Sequence, residues 1–366
     1  MRHRGNTPTR RIGRHIMLAA ATLFALITPA AAQTVDAQGT VHVPAIAIPE
    51  STLLSAETRR HLAEQRNPPR EQSQPRSCPS MAGAPNDQIP AIRECEAQAF
   101  YVSNAYRRLQ TLFDVSIEDR VIGGVRTEVV EPRGGVAPEN RRRVLINVHG
   151  GAFIGGARTL SRMESMPIAA IGRIKVISVD YRQGPDFTFP AASEDVAAVY
   201  RELIKQYDPR NIGIYGCSAG GLLTAQSVAW LIDKKLPLPG AIAMLCEGGV
   251  YWTEGDSSRM VYDTSASTMA VNPYFSGTSA DDPLVFPARS LALLAKFPPT
   301  LLVTATRDFA LSSTVYTHSR LVAQGVDAEL HVWEGLPHAF HMDPDLPESK
   351  QVYDVVTRFF AKHLRK

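Results

Sequence analysis

The chain has 366 residues, 44% apolar and 20% charged, with 39 basic and 36 acidic side chains. That balance excludes a disordered polyelectrolyte and supplies enough apolar residues for a large buried core. Five of the 39 basic residues fall in the first 32, which hold no acid, so the slight basic excess belongs to that segment and does not point to nucleic-acid binding.

That segment begins M-R-H-R-G-N-T-P-T-R-R, continues through the apolar run I-M-L-A-A-A-T-L-F-A-L-I and ends T-P-A-A-A. A basic start, a short apolar run and small residues form the layout of a secretory signal peptide spanning residues 1–32, cleaved after Ala32. The alternative is a membrane anchor, but the run is short for a span. The expectation is an exported chain, periplasmic or secreted, with no stable membrane anchor after cleavage. Arg10-Arg11 hints at twin-arginine export, although the following residues fit that signal poorly.

Residues 33–50 are polar and proline-containing. Ser51 is placed to cap a helix over 51–66. Residues 67–80 read as loop. Pro90 opens a second helix, in which Ile92, Cys95, Ala99, Phe100 and Leu109 share one face. The runs V-S-I-E-D-R-V-I and V-R-T-E-V-V flank Gly123-Gly124 and predict a hairpin.

From residue 142 short β-branched runs follow: R-V-L-I-N-V-H, K-V-I-S-V-D, N-I-G-I-Y-G, A-I-A-M-L-C, T-L-L-V-T-A and A-E-L-H-V-W. Helical stretches at 191–207, 218–233, 309–324 and 348–364 separate most of them. Such alternation predicts an α/β domain with a mostly parallel central sheet flanked by helices on both faces. Residues 247–297 form a long irregular stretch between two strands, a length usually reserved for function or a lid.

Within this framework G-C-S-A-G-G, residues 216–221, follows a strand and opens a helix. The G-x-S-x-G spacing there predicts a nucleophile elbow, with Ser218 lifted clear of the sheet edge. A serine hydroxyl needs a base to take its proton. His338, after the last strand, is the candidate base, with His341 as its local rival. The base needs a carboxylate to fix its tautomer. Asp308 lies just past a strand, at the end of a parallel sheet where ligands bind; Asp282 and Asp345 are weaker candidates. The glycine-rich N-V-H-G-G-A-F, residues 147–153, offers backbone donors for an oxyanion, and Gly150, Gly151 and Ala219 are expected to supply them. Tyr251, Trp252, Tyr274 and Phe275 are candidate substrate-binding aromatics in the irregular stretch, with packing as the alternative. Asp180, Tyr181 and Arg182 read as structural supports of the H-G-G loop.

The four cysteines are Cys78, Cys95, Cys217 and Cys246. A Cys78–Cys95 bridge is favoured, since both lie in the proline-rich N-terminal region, where closing a loop contributes about 3 kcal/mol in the chain-entropy model; four free thiols are the alternative. The Cys217 thiol is expected to face the core and be inert. No C-x-x-C or His/Cys spacing suggests a metal, and no cofactor is expected.

These motifs make the sequence resemble the hormone-sensitive-lipase-like (H-G-G-G) carboxylesterases of the α/β-hydrolases over about residues 142–365. The resemblance rests on H-G-G-A-F at 149–153, V-D-Y-R at 179–182, F-P-A-A-S-E-D at 189–195, G-C-S-A-G-G at 216–221, D-D-P-L-V-F-P at 281–287 and P-H-A-F at 337–340. It implies an α/β-hydrolase fold with an N-terminal helical cap and a Ser218–Asp308–His338 triad. Residues 33–114 then become an N-terminal extension with cap helices, and 115–366 the catalytic domain. Three departures bear on substrate: Ala152 replaces the third glycine, Ser312 replaces the second aspartate of D-P-L-x-D, and R-Q-G-P-D replaces R-L-A-P-E. The implied function is an exported serine carboxylesterase acting on short-to-medium acyl esters of small molecules. A lactonase, amidase or acyltransferase with the same triad is the alternative, and a non-catalytic binding protein the remaining one.

Overall fold

The computed structural model describes residues 33–44, 47–66, 78–81, 83–260 and 269–365. The segment expected to be a leader, most of the loop expected at 67–80 and part of the irregular stretch lie outside the described residues. Contacts divide the chain into two units, Met1–Glu50 and Ser51–Lys366. In the first, strands β1 (Thr34–Val35) and β2 (Val41–His42) pair antiparallel. Between them the Asp36 carboxylate accepts the Gln38 and Thr40 N–H groups at 3.0 and 2.8 Å.

The second unit begins with three helices: α1 (Ala56–Arg66), α2 (Ile89–Tyr101) and α3 (Asn104–Leu112). Helix α1 starts five residues later than Ser51 suggests. Ser55 Oγ accepts the Thr58 N–H at 3.0 Å, whereas Ser51 Oγ donates to Glu334. The single helix expected from Pro90 to Leu109 is two. It breaks at Val102, and Ser103 starts α3 by accepting the Tyr106 N–H on its side chain. A serine with an acceptor oxygen competes well at a helix start, which apolar spacing alone does not register. Cys78 and Cys95 are bonded, with Cα atoms 5.8 Å apart, tying the segment before α2 to its middle.

The hairpin follows as expected: β3 (Val115–Ile122) and β4 (Val125–Pro132) turn at Gly123 and Gly124, with φ of +60° and +82°. Both residues take the left-handed conformation that a tight two-residue hairpin requires. Then come β5 (Val144–Val148), α4 (Leu160–Gly172), β6 (Lys175–Val179), α5 (Ala191–Leu203), β7 (Ile212–Cys217), α6 (Ala219–Asp233) and β8 (Ala241–Leu245). The irregular stretch contains only the short α7 (Ser257–Met260) and α8 (Leu291–Leu294) and single 3₁₀ turns among the described residues. The chain closes with β9 (Thr300–Arg307), α9 (Leu311–Ala323), β10 (Ala328–Pro337) and α10 (Pro347–His363).

The eight strands β3 to β10 form one sheet in the order β10-β9-β8-β7-β5-β6-β4-β3. Pairings from β6 through β10 are parallel, and the β3–β4 hairpin adds an antiparallel edge. This is the α/β-hydrolase class of sheet the sequence implies. Alternate residues of each strand feed two cores. Val144, Ile146 and Val148 pack with Val196, Leu222 and Leu223 of α5 and α6, while Leu145 packs with Met166 of α4 and Phe360 of α10. Helix α4 is absent from the sequence reading because Pro167 stands inside it, and an internal proline removes a helix hydrogen bond. Its burial of Met166, Ile168 and Ala169 offsets that loss.

The order of strands positions the site. The chain leaves β5 for β6 on one side and crosses to β7 on the other. Loops from the adjacent carboxyl ends of β5 and β7 therefore diverge and leave a crevice.

Replacing Ser103 by alanine removes the α3 start signal without touching a core side chain. We expect a loss of about 1 kcal/mol in unfolding free energy, measured by urea denaturation.

Candidate active site

Ser218 stands between β7 and α6 at φ +58°, ψ −125°. It alone among residues 211–229 is not buried. The turn is possible only because its neighbours lack side chains. A Cβ on Gly216 or on Gly220 would come within 1.9 Å of the Val148 carbonyl oxygen. The glycines thus let β5 press against the elbow, and α6 begins at Ala219 with its positive end beside the hydroxyl.

Two further side chains meet Ser218. His338, directly after β10, holds Nε2 2.9 Å from Ser218 Oγ and Nδ1 2.7 Å from Asp308 Oδ1. Asp308 is fully buried just past β9. Its Oδ1 accepts the Ala310 N–H at 2.9 Å, and its Oδ2 accepts the Thr304 hydroxyl at 3.1 Å. The Phe309 ring stacks on the imidazole at 4.1 Å. The structure therefore brings Ser218, His338 and Asp308 into one relay.

The rivals lie elsewhere. His341 is buried, with Nδ1 3.7 Å from Cys246 Sγ, and burial lowers its pKa to about 4. Asp282 accepts the Leu284 N–H in its own turn. Asp345 pairs with Arg108 of α3, Oδ1 lying 2.9 Å from Nε. Among the described residues Ser312 makes no hydrogen bond to Asp308. It exchanges hydrogen bonds with Ser257: the Ser257 N–H donates to Ser312 Oγ and the Ser312 N–H to Ser257 Oγ. Burial pushes the Cys217 thiol well above its usual pKa, in keeping with a core position.

The oxyanion loop requires a correction. The Gly150 N–H is taken: it donates to Glu164 Oε1 at 2.8 Å. Gly150 serves close approach instead, since a Cβ there would lie 2.9 Å from the Cys217 carbonyl oxygen. Among the described residues, the N–H groups of Gly151, Ala152 and Ala219 donate to no backbone or side-chain acceptor. Gly151 and Ala152 have φ of +114° and +54°, which turn the loop back on itself. Ala152 keeps the amide of the glycine it replaces, at the cost of a strained conformation for a residue with a Cβ. Tyr181 supports the loop by donating its hydroxyl to the His149 carbonyl at 2.7 Å and stacking on that ring at 4.3 Å. Arg182 is instead bound to Asp195, and the Asp180 carboxyl, raised in pKa by burial, makes no bond to the loop.

Glu164, on α4, is the residue the sequence reading missed. It is 4% exposed. Its Oε2 accepts Asn147 Nδ2 at 2.9 Å and the Cys217 N–H at 3.2 Å, while Oε1 holds Gly150. One carboxyl group thus binds the oxyanion loop to the nucleophile elbow. Burial raises its pKa to about 8 against the pull of these three donors. The available signal was a carboxylate on the buried stripe Ser161, Ser165, Ile168, Ala169 of one helix.

The aromatic expectation is also corrected. Tyr251, Trp252, Tyr274 and Phe275 are 3%, 8%, 0% and 2% exposed. Tyr274 stacks on Phe153 at 4.7 Å and Phe275 meets its edge, bracing the loop from behind, while Tyr251 packs on Phe275 and Trp252 on Tyr251. A cavity of about 1020 Å³ reaches Gly151 and Ala152 from another direction. Met81, Phe100, Ile154, Leu160 and Met163 are among its walls, with the Cys78–Cys95 pair at its edge. Arg93 of α2 fixes this side by donating to the Ile154 carbonyl at 2.7 Å.

A serine at a strand–helix elbow, bonded to an imidazole that is bonded to a buried carboxylate, defines the site of a serine hydrolase. Residues 145–342 match the family described as alpha/beta hydrolase fold, and the chain belongs to that family, within its hormone-sensitive-lipase-like branch. It is similar to an acetyl-hydrolase of Streptomyces hygroscopicus, 27% identical over 226 residues, 59% of this chain and 75% of that protein. It is also similar to an acetyl esterase of Salmonella schwarzengrund, 26% identical over 66% of this chain and 78% of that one. Among solved structures, the esterase E25 superposes with a TM-score of 0.75 at 30% identity, covering 88% of this chain and 99% of that one. An esterase from the bacterial hormone-sensitive lipase family gives a TM-score of 0.66 at 27% identity, covering 86% and 100%. The chain is accordingly a carboxylic ester hydrolase.

Glu164 generates two predictions. Glu164→Ala leaves the Gly150 and Cys217 N–H groups buried without acceptors, which should cost about 1–3 kcal/mol each and depress turnover. The second concerns pH. Unfolded, the group ionises at its ordinary value of 4.5; folded, at about 8. Between those values the folded chain binds more protons, so stability falls as pH rises through the window. Wild type should lose unfolding free energy relative to Glu164→Gln from about pH 5 to about pH 8, read from denaturation curves at each pH.

Proposed function

We propose that the chain is an exported serine esterase that cleaves short-to-medium acyl esters through an acyl-enzyme. The Asp308–His338–Ser218 relay, with contacts of 2.7 and 2.9 Å, is the observation that carries this reading. His338 takes the hydroxyl proton as Ser218 Oγ attacks the ester carbonyl, and Asp308 stabilises the imidazolium that forms. The negative charge that develops on the carbonyl oxygen is received by the N–H groups of Gly151, Ala152 and Ala219. His338 then hands its proton to the departing alcohol. Water, activated by the same imidazole, releases the acid and restores Ser218.

Two relatives named for acetyl groups support a small acyl portion. The apolar walls of the cavity beside Gly151 and Ala152 suit a larger, uncharged portion on the other side of the ester. Export is supported by the basic, apolar and small-residue order of the first 32 residues and by the Cys78–Cys95 pair, which an oxidising compartment preserves.

The test is a panel of nitrophenyl esters of increasing acyl length, with lactones and anilides beside them. Esters of short acids should be turned over fastest. Ser218→Ala should lower the rate by roughly six orders of magnitude and abolish labelling by a fluorophosphonate. Equal labelling of wild type and variant, or preference for anilides over every ester, defeats this reading.

A further inference from the structure

Strand β10 is entered through D-A-E-L-H, residues 327–331. Ala328 and Leu330 pack against the α5–α6 core. The two-residue alternation of a strand therefore turns Asp327, Glu329 and His331 to the opposite face. The C-terminal end of α10 arrives on that face. His363, its last residue, holds Nε2 3.9 Å from Asp327 Oδ2 and 3.8 Å from Glu329 Oε1. One oxygen from each carboxylate and the imidazole nitrogen lie within 4.8 Å of one another. His331 adds a second imidazole, its Nε2 3.8 Å from Glu329 Oε2.

The His363 ring points to a ligand. Its side chain is 9% exposed, and its Nε2 is buried with no hydrogen-bond partner. A polar nitrogen closed off from water in that state is costly. The two carboxylate oxygens it faces are beyond hydrogen-bond reach. They are well spaced for sharing an ion, because atoms 3.8–3.9 Å apart can both lie about 2.0–2.2 Å from a central Zn²⁺.

We propose that Asp327, Glu329 and His363 bind a divalent transition-metal ion, Zn²⁺ by preference, with His331 able to complete the set by a change of rotamer. Imidazole with carboxylates suits Zn²⁺, whereas Ca²⁺ and Mg²⁺ take oxygen ligands. The two carboxylates neutralise the ion's charge. Lys362 Nζ now donates to Glu329 Oε1 at 2.7 Å, but this pair faces solvent and competes weakly. The Asp327 carbonyl accepts the Thr300 N–H, so its backbone is already fixed. The site lies at the start of β10, while His338 follows its other end. The ion is thus a clamp between α10 and the edge strand, with no part in ester cleavage.

The experiment titrates the metal-free full-length chain with ZnCl₂ by calorimetry and with CoCl₂ by absorption, and compares melting in Zn²⁺ and in EDTA. One Zn²⁺ per chain, a higher melting temperature with Zn²⁺ and visible Co²⁺ bands without a thiolate charge-transfer band are expected. His363→Ala and Glu329→Gln should each weaken Zn²⁺ binding by at least about tenfold, a loss that even outer-shell partners of a metal produce. Glu329 is partly exposed, so its variant remains informative if His363→Ala does not fold. Absence of saturable binding, or affinity unchanged in Glu329→Gln, overturns the proposal. So does a thiolate band, which would put the metal at Cys217 and Cys246.

Discussion

The site depends on how closely two strand ends approach. The Val148 carbonyl, at the end of β5, fills the space that side chains at 216 and 220 would occupy. That contact presses the H-G-G loop against the serine turn. Donors and nucleophile therefore belong to one rigid patch, although about seventy residues separate them in sequence. Everything else in the site attaches to this junction.

Several attachments fix it from behind. Glu164 spans the junction with three accepted hydrogen bonds. Tyr181 holds the His149 carbonyl, and Asn272 donates to the Ala152 carbonyl at 3.0 Å. Phe153 is wedged among Tyr274 and Phe275. These contacts constrain the backbone of a glycine-rich loop that would otherwise lose much of its precision to entropy. Preorganised donors stabilise developing charge without reorganising during reaction, which is the chemical return on this bracing.

Much of this was legible in the sequence. Short β-branched runs separated by helices specified the parallel sheet, because strands buried on both faces leave no polar alternation. The glycines around Ser218 marked a turn that no other residue allows, and chain order supplied Asp308 and His338. Other features were hidden for physical reasons. Pro167 disguised α4, and Glu164 with it, since a proline inside a helix is overridden only by tertiary burial. The occupation of the Gly150 amide depends on where a distant carboxylate lands, and no local pattern encodes that. The aromatics of 247–297 were ambiguous because pocket walls and core share one composition. The split between α2 and α3 was written at Ser103 but masked by continuous apolar spacing.

The acid member of the relay is assembled within a very short length of chain. Asp308 takes its bonds from Thr304 and the Ala310 amide, both within four residues, while Ser312 is engaged with Ser257. The carboxylate's aim is therefore set within the β9–α9 corner, and the long irregular segment grips that corner through Ser257, which bonds Ser312 and the Phe309 carbonyl. The same segment holds the oxyanion loop through Asn272, Tyr274 and Phe275, so one stretch of chain anchors both ends of the relay. Lengthening it elsewhere leaves those anchors in place, whereas moving Ser257 or Asn272 shifts acid and oxyanion donors together.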